Sequence, residues 1–360
     1  MKHNIFVINT GSTSSKFALY SDGEAMIEEK VVHTPEDLAP FPHMADQLEF
    51  RTAIAEDIAA RAMELYPFET VTARGGMLPP VKSGCYEINE TMLDYLFATK
   101  QEHASNLSAI IAMTIAKKYS LPYAFVYDPI SVDELAPIAE IGGIADLRRN
   151  SFTHALNMRS IAHKTAGILG KPYNEINVIV AHMGGGFSLS IHSGGKMIDI
   201  ISDDEGPFAP ERAGRQQATA LIKYMDGIES RIEDKLRILR GGSGLLGHLG
   251  TSDAREVEER IKNGDKKAEL VYEAMAYQTA KGIGELATVT CGKVDAIALT
   301  GGLAHSEYYT GMVIERVAFL APVYIFGGEN EMESLALGAL RALRGEETVQ
   351  EFVINAGRPE

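Results

Sequence analysis

The chain has 360 residues, 45 % hydrophobic and 23 % charged, with a formal net charge of −15. That length exceeds what one core ordinarily supports and reads as two domains of an ordinary globular protein. The negative balance, with no Lys/Arg stripe, excludes a sequence-independent nucleic-acid binder, which needs cations to displace counterions from phosphates. Met1-Lys2-His3-Asn4 leads to only four apolar residues before Asn9, too short for a signal segment, and no apolar run approaches spanning length. The expectation is a cytoplasmic protein with no membrane partner. Cys85 and Cys291 lack C-x-x-C spacing and are expected to be small buried residues.

In chain order, residues 5–8, 16–20 and 26–32 read as three consecutive strands, with turns at Gly11 and Asp22-Gly23. Leu48, Ile54, Ile58, Ala62 and Leu65 share a helical face, while Asp46, Glu49, Glu56 and Glu64 can stay in water. A strand over 71–73, a helix over 105–119 and a strand over 123–127 then alternate as βαβ units. A helix is expected at the boundary near 149–171. The plan then repeats, with strands over 178–181, 187–191 and 197–201 and a helix over 211–225. Near the end, a strand over 296–299 runs into Gly301-Gly302, and a last helix covers 333–343.

Three meandering strands followed by βαβ units, twice, predict an α/β fold of two ribonuclease-H-like lobes, as in the actin and sugar-kinase superfamily, each lobe a mixed sheet flanked by helices. A dehydrogenase would open β-α-β and carry G-x-G-x-x-G at its first strand turn, which is missing here. The expected lobes are 1–155 for acid and phosphate, rejoined by a C-terminal helix over 333–352, and 156–332 for nucleotide.

Phosphoryl transfer asks for donors and cations around the moving oxygens and a metal on the nucleotide phosphates. The turn over 9–16 offers N–H groups freed by Gly11, hydroxyls on Thr10, Ser12, Thr13, Ser14 and Ser15, and the Lys16 ammonium. Such a turn can cradle an anion; an ordinary hairpin loop reads the same way. His182-Met183-Gly184-Gly185-Gly186 is sharper, because successive glycines at a strand end lose much backbone entropy and point to close approach by a phosphate chain. The histidine alone reads equally as a packed or capping residue. Arg212 ends a constrained loop that begins at Asp203-Asp204-Glu205, and suits a carboxylate or developing metaphosphate, or a surface pair with Glu211. Thr300-Gly301-Gly302 makes a third strand-to-glycine turn, where a nucleotide's sugar and base can meet backbone.

Taken as an ordered set, Asn9-Thr10-Gly11-Ser12-Thr13-Ser14-Ser15-Lys16, Ala73-Arg74-Gly75-Gly76, Glu102-His103-Ala104-Ser105-Asn106-Leu107, Val126-Tyr127-Asp128-Pro129, Thr153-His154-Ala155-Leu156-Asn157, Ala181-His182-Met183-Gly184-Gly185-Gly186, Glu211-Arg212-Ala213-Gly214, Gly250-Thr251-Ser252-Asp253-Ala254-Arg255 and Leu299-Thr300-Gly301-Gly302-Leu303-Ala304-His305 resemble the acetate and butyrate kinase family from end to end. The resemblance implies a reversible phosphotransferase with a carboxyl group as acceptor: butyrate and ATP giving butyryl phosphate and ADP by direct in-line transfer. It implies Mg²⁺ at Asn9, Asp128 and Glu333, the last ligand being open among Glu329, Glu331 and Glu333. Arg212, His154, His103 and Arg74 fall on the family's catalytic positions. Ser12, Ser14, Lys16 and Asn106 match residues that face the transferring phosphate. His182, Gly184, Gly185 and Gly186 match the nucleotide-phosphate loop, and Asp253, Arg255, Gly301 and Gly302 its adenosine side. A homodimer or larger assembly is implied as well.

A carboxylate is already ionised at pH 7, so the reaction needs no general base. Two other readings stay open. One is a branched-chain, propionate or acetate kinase of the same family, since one methylene in a pocket is worth only about 1–3 kcal/mol. The other is a nucleotide-switched regulatory protein on the same fold, which would not need Arg74, His154 and Arg212 to act together.

Overall fold

The computed structural model describes residues 2–99, 103–328 and 330–354. The chain forms two compact units, Met1–Asp133 with Asn330–Glu360, and Glu134–Glu329. Residues 134–155, expected with the first lobe, thus belong to the second unit. The cause is local: Ala136 N–H donates to the Ile198 carbonyl, and Arg149 bonds Asp199 and Glu205. Among the described residues no helix is long and apolar enough to cross a membrane.

The strands, in chain order, are β1 (Asn4–Thr10), β2 (Ser14–Ser21), β3 (Glu24–Val32), β4 (Thr70–Arg74), β5 (Cys85–Glu87), β6 (Tyr123–Tyr127), β7 (Val178–Met183), β8 (Phe187–Ser193), β9 (Lys196–Ile201), β10 (Ala296–Gly301), β11 (Val323–Gly327) and β12 (Gln350–Glu351). The first unit's sheet runs β12-β5-β6-β4-β1-β2-β3, and the second's runs β11-β10-β7-β8-β9. One plan serves both. An antiparallel meander, β1-β2-β3 or β7-β8-β9, pairs through its first strand with two successive parallel strands, β4 and β6 or β10 and β11. Every residue of β7 and β10 is buried, as expected of central strands covered on both faces.

Parallel strands end side by side, and this aligns the chemistry-bearing residues. In the first sheet Ile8 pairs with Ala73 and Arg74 with Tyr127, so Asn9, Arg74 and Asp128 stand at adjacent carboxyl ends. In the second, His182 pairs with Thr300, which brings the ends of β7 and β10 together. Carboxyl ends of parallel strands are where open α/β sheets bind ligands.

The helix Leu48–Leu65 covers the first sheet with Ala55, Ile58, Ala59 and Ala62, and Ile58 alone contributes about 2 kcal/mol by burial. The helix Ala155–Leu169 begins at His154 and ends at Gly170 in the left-handed region (φ 65°). Three expectations are corrected. The helix expected over 211–225 covers only Ala218–Asp226, because Gly214 has φ +62° and a Cβ there would lie 2.4 Å from the Phe208 nitrogen. The last helix spans Glu331–Leu343 rather than reaching 352; the chain then turns, and β12 adds to β5. Cys85 is buried but Cys291 is exposed, since it closes a 3₁₀ turn with φ 54°.

Candidate active site

In the first unit the turn after β1 is shaped from below by a residue that sequence reasoning missed. Arg51 is fully buried on the same helix face as Ala55 and Ile58, and its guanidinium donates to the Gly11 carbonyl at 2.9 Å, the Ser12 carbonyl at 2.9 Å and Ser15 Oγ at 3.0 Å. Gln47 Oε1 accepts from its Nε. The signal was present as the only cation on an otherwise apolar helix face. With those carbonyls drawn down to Arg51, Ser12 is left exposed, and Ser14 and Lys16 half-buried, along the turn. Thr10 faces inward, its hydroxyl donating to the Ala104 carbonyl and bonding Ser108.

Arg74, at the end of β4, forms an ion pair with Glu331, whose other carboxylate oxygen accepts from Asn9 Nδ2 at 2.7 Å. Glu331, not Glu333, is therefore the carboxylate at Asn9. Glu333 acts on Tyr20, whose phenol burial and the charges of Glu28 and Glu333 push up; Tyr20 pairs with Ile5, four residues along the strand from Asn9. Glu329, the third alternative, lies outside the described residues, as does Glu102 of the motif before His103. His103 bonds Ser105 Oγ at 2.6 Å, and burial together with the Arg74 charge holds its imidazole below the usual range, neutral at pH 7. Asn106 Oδ1 accepts from Met77 N–H at 2.8 Å and so supports the turn that follows Arg74. Asp128 has φ +39°, and its Oδ1 accepts from Gly84 N–H at 2.7 Å.

The second unit brings four expected features together. His182 and His154 stack with ring centroids 3.9 Å apart and planes 14° from parallel. His182 Nδ1 meets Asn157 Oδ1 at 2.9 Å, and His154 Nδ1 meets Ser188 Oγ at 3.0 Å. Beyond His182 the chain turns through Gly184–Gly186, and Arg212 lies along that turn, held by Asp203 at 2.9 Å rather than by Glu211. A Cβ on Gly185, Gly186 or Gly302 would meet nothing closer than 3.4 Å. The chain's own atoms therefore leave room at these three positions, as a loop that must admit a ligand requires. Gly301 differs: with φ +91°, a Cβ there would lie 2.5 Å from the Met183 carbonyl oxygen, so the junction of β10 with β7 itself demands glycine. Among the described residues, Asp253 and Arg255 share no hydrogen bond or ion pair with this group. Asp253 caps the helix Ala254–Lys262 and forks onto the exposed Arg255, which lowers the carboxyl to about 2.

Residues 144–333 match the acetokinase family. The chain is also 40 % identical over 354 residues to Butyrate kinase 1 of Clostridium acetobutylicum, covering 97 % of this chain and 99 % of that protein. The chain belongs to the acetokinase family. This acetokinase is 42 % identical over 349 residues to the Probable butyrate kinase of Bacteroides thetaiotaomicron, covering 96 % and 99 % of the two chains. Its fold matches the crystal structure of Porphyromonas gingivalis acetate kinase with a TM-score of 0.77 at 20 % identity, over 95 % of this chain and 100 % of that one.

Among the described residues no three His, Cys, Asp or Glu side chains group as a metal cluster. Mg²⁺ does not demand one: it keeps several waters and takes one or two carboxylates together with substrate phosphates. Asn9 and Asp128 at strand ends and Glu331 at the start of the last helix supply hard oxygen atoms, a donor set that fits this ion.

Proposed function

We propose that this acetokinase phosphorylates butyrate with ATP, reversibly, by direct in-line transfer to the carboxylate. The observation that carries the reading is the 40 % identity to Butyrate kinase 1 over 97 % of the chain. The geometry supports the phosphoryl-transfer part, because Arg212 lies against the Gly186 turn next to the stacked His154 and His182. In this reading the first unit serves the acid and the transferring phosphate, through Arg74, His103, Asn106, Ser12, Ser14 and Lys16. The second serves the nucleotide, through His182, Gly184, Gly185 and Gly186 at its phosphates and Asp253, Arg255, Gly301 and Gly302 at its adenosine.

The obstacle is repulsion between an anionic nucleophile and an anionic phosphate. Arg74, Arg212 and His154 offset that repulsion and hold donor and acceptor in line. Mg²⁺ would be held by Asn9, Asp128 and Glu331, with Glu333 the alternative, and would neutralise phosphate charge. Cytoplasmic location and self-association belong to the same reading. The helices Ala218–Asp226 and Ile232–Gly241 have no buried residue and expose Ile222, Tyr224, Ile232 and Leu236, which favours a partner copy.

A hydroxamate assay with ATP, Mg²⁺ and acetate, propionate, butyrate or isobutyrate tests the proposal. Butyrate is expected to give the highest kcat/KM. No acyl phosphate from any acid removes the kinase reading, and an acetate preference removes butyrate.

A further inference from the structure

His182 and Asn157 make an unusual pair for their surroundings. His182 is 1 % exposed between Ala181 and Met183 on a strand buried at every residue, and Asn157 is 3 % exposed beside Leu156 and Met158. A buried polar group must be hydrogen-bonded to be tolerated, yet exchanging both partners for apolar side chains of similar shape is close to neutral for stability. Folding alone therefore gives no reason for this pair. The same holds at the neighbouring ring, where Ser188 lies directly across from His182 in the β7–β8 register and bonds His154 instead. His154 stands at the N-cap of its helix without a side-chain capping bond, and its ring stacks on His182.

We infer that Asn157 and Ser188 are positioning residues that hold the Nδ1 edges of the two stacked histidines. Asn157 Oδ1 accepts from His182 Nδ1–H, which fixes that proton and the plane of the ring. A phosphate oxygen accepts hydrogen bonds, so Nε2 can meet one only as N–H, with the ring protonated on both nitrogens and Asn157 Oδ1 holding the Nδ1 proton. Ser188 fixes the plane of His154 in the same way, and the two bonds together keep the rings parallel. This is the logic by which the partner on one nitrogen of an imidazole sets what the other nitrogen can do. The inference rests on the proposed function insofar as it assigns the Nε2 edges to phosphate.

The test uses full-length protein, wild type and the variants Asn157→Leu, Asn157→Asp and Ser188→Ala. Long-range ¹H–¹⁵N NMR of ¹⁵N-histidine reports which ring nitrogen carries the proton, and initial rates with ATP and butyrate give kcat and KM. His182 of the wild type is expected to be protonated at Nδ1. Asn157→Leu is expected to abolish that signature and lower kcat about ten- to a hundredfold, with the butyrate KM within twofold. Asn157→Asp, which keeps an accepting oxygen, restores the signature and most of the rate. A wild-type His182 protonated only at Nε2 overturns the inference, as does an Asn157→Leu protein with unchanged tautomer and kcat. If Asn157→Leu does not fold, Ser188→Ala decides: unchanged His154 resonances and unchanged kcat overturn it. The NMR measurement needs no turnover, so a wild type that makes no acyl phosphate strikes the proposed function and leaves the positioning claim standing on its own data.

Discussion

In the proposed reaction Arg212 is the residue whose charge is wanted most when the phosphoryl group is between donor and acceptor. It is half-buried, held by Asp203 and laid against Gly186, so its position is set before any ligand arrives. Arg212→Ala is expected to lower kcat about a hundred- to a thousandfold while changing the KM for ATP only severalfold; steady-state kinetics that show an unchanged kcat would contradict this. A second residue-scale prediction concerns folding. His192 is fully buried between Ser190 Oγ and Tyr173 Oη, and burial, with a smaller push from the charge of Arg159, lowers its pKa to about 3. Because the folded pKa lies below the unfolded value of 6.5, the unfolded chain binds the extra proton first. Stability is fully present above about pH 6.5 and is lost as the pH falls from there toward 3, by about 2 kcal/mol at pH 5 from this group alone. Urea midpoints at pH 7 and pH 5 measure it, and His192→Gln should flatten the difference.

At the scale of elements, the start of the helix Glu331–Leu343 decides which glutamate reaches Asn9. Residues two apart on a helix point about 200° apart, so a carboxylate at 331 and one at 333 cannot serve the same strand end. Glu331→Gln is expected to raise the Mg²⁺ concentration for half-maximal activity more than tenfold, and Glu333→Gln less than twofold; Mg²⁺ titrations of the two variants with the opposite ranking would move the ligand to Glu333. Sequence could not separate them, because both fall among acidic residues of one helix start and only the packing against β1 selects one. Most strands were legible for the opposite reason. Apolar runs such as 178–181, bounded by polar turns and glycines, carry their own signal. The segment 211–217 was misread as helix because its composition is helical, while the positive φ of Gly214 and the Arg212–Asp203 bond bend it into a loop. The motif residues were named through the resemblance of the ordered set to the acetate and butyrate kinase family. Arg51 left one trace, a cation on an apolar helix face, whereas the bonds made by Asn157 and Ser188 left none, since each acts on a ring supplied by a distant part of the chain.

For the whole molecule, the two units share a strand order but not a chain economy. The second is continuous in sequence, Glu134–Glu329, whereas the first is completed by residues from 330 onward. The helix Glu331–Leu343 buries Leu335, Ala336, Ala339 and Leu340 against β1, β2, β4 and β6. A chain ending at 329 is expected to leave that face of the sheet uncovered, bind a hydrophobic dye and lose the sharp unfolding of the full-length protein; a cooperative melt of the truncated chain would refute this.

The same discontinuity orders events during synthesis. Residues 1–133 leave the ribosome with their apolar sheet face lacking its cover, and they must wait through the translation of about 200 more residues, roughly ten to forty seconds at ordinary elongation rates. By the end of that interval the second unit has all its strands and can fold, while the first has been exposed throughout to aggregation or to a chaperone. Glu331, arriving on the last helix, then reaches Asn9 and Arg74, so the carboxylate proposed to help hold the metal becomes available only once nearly the whole chain has been made.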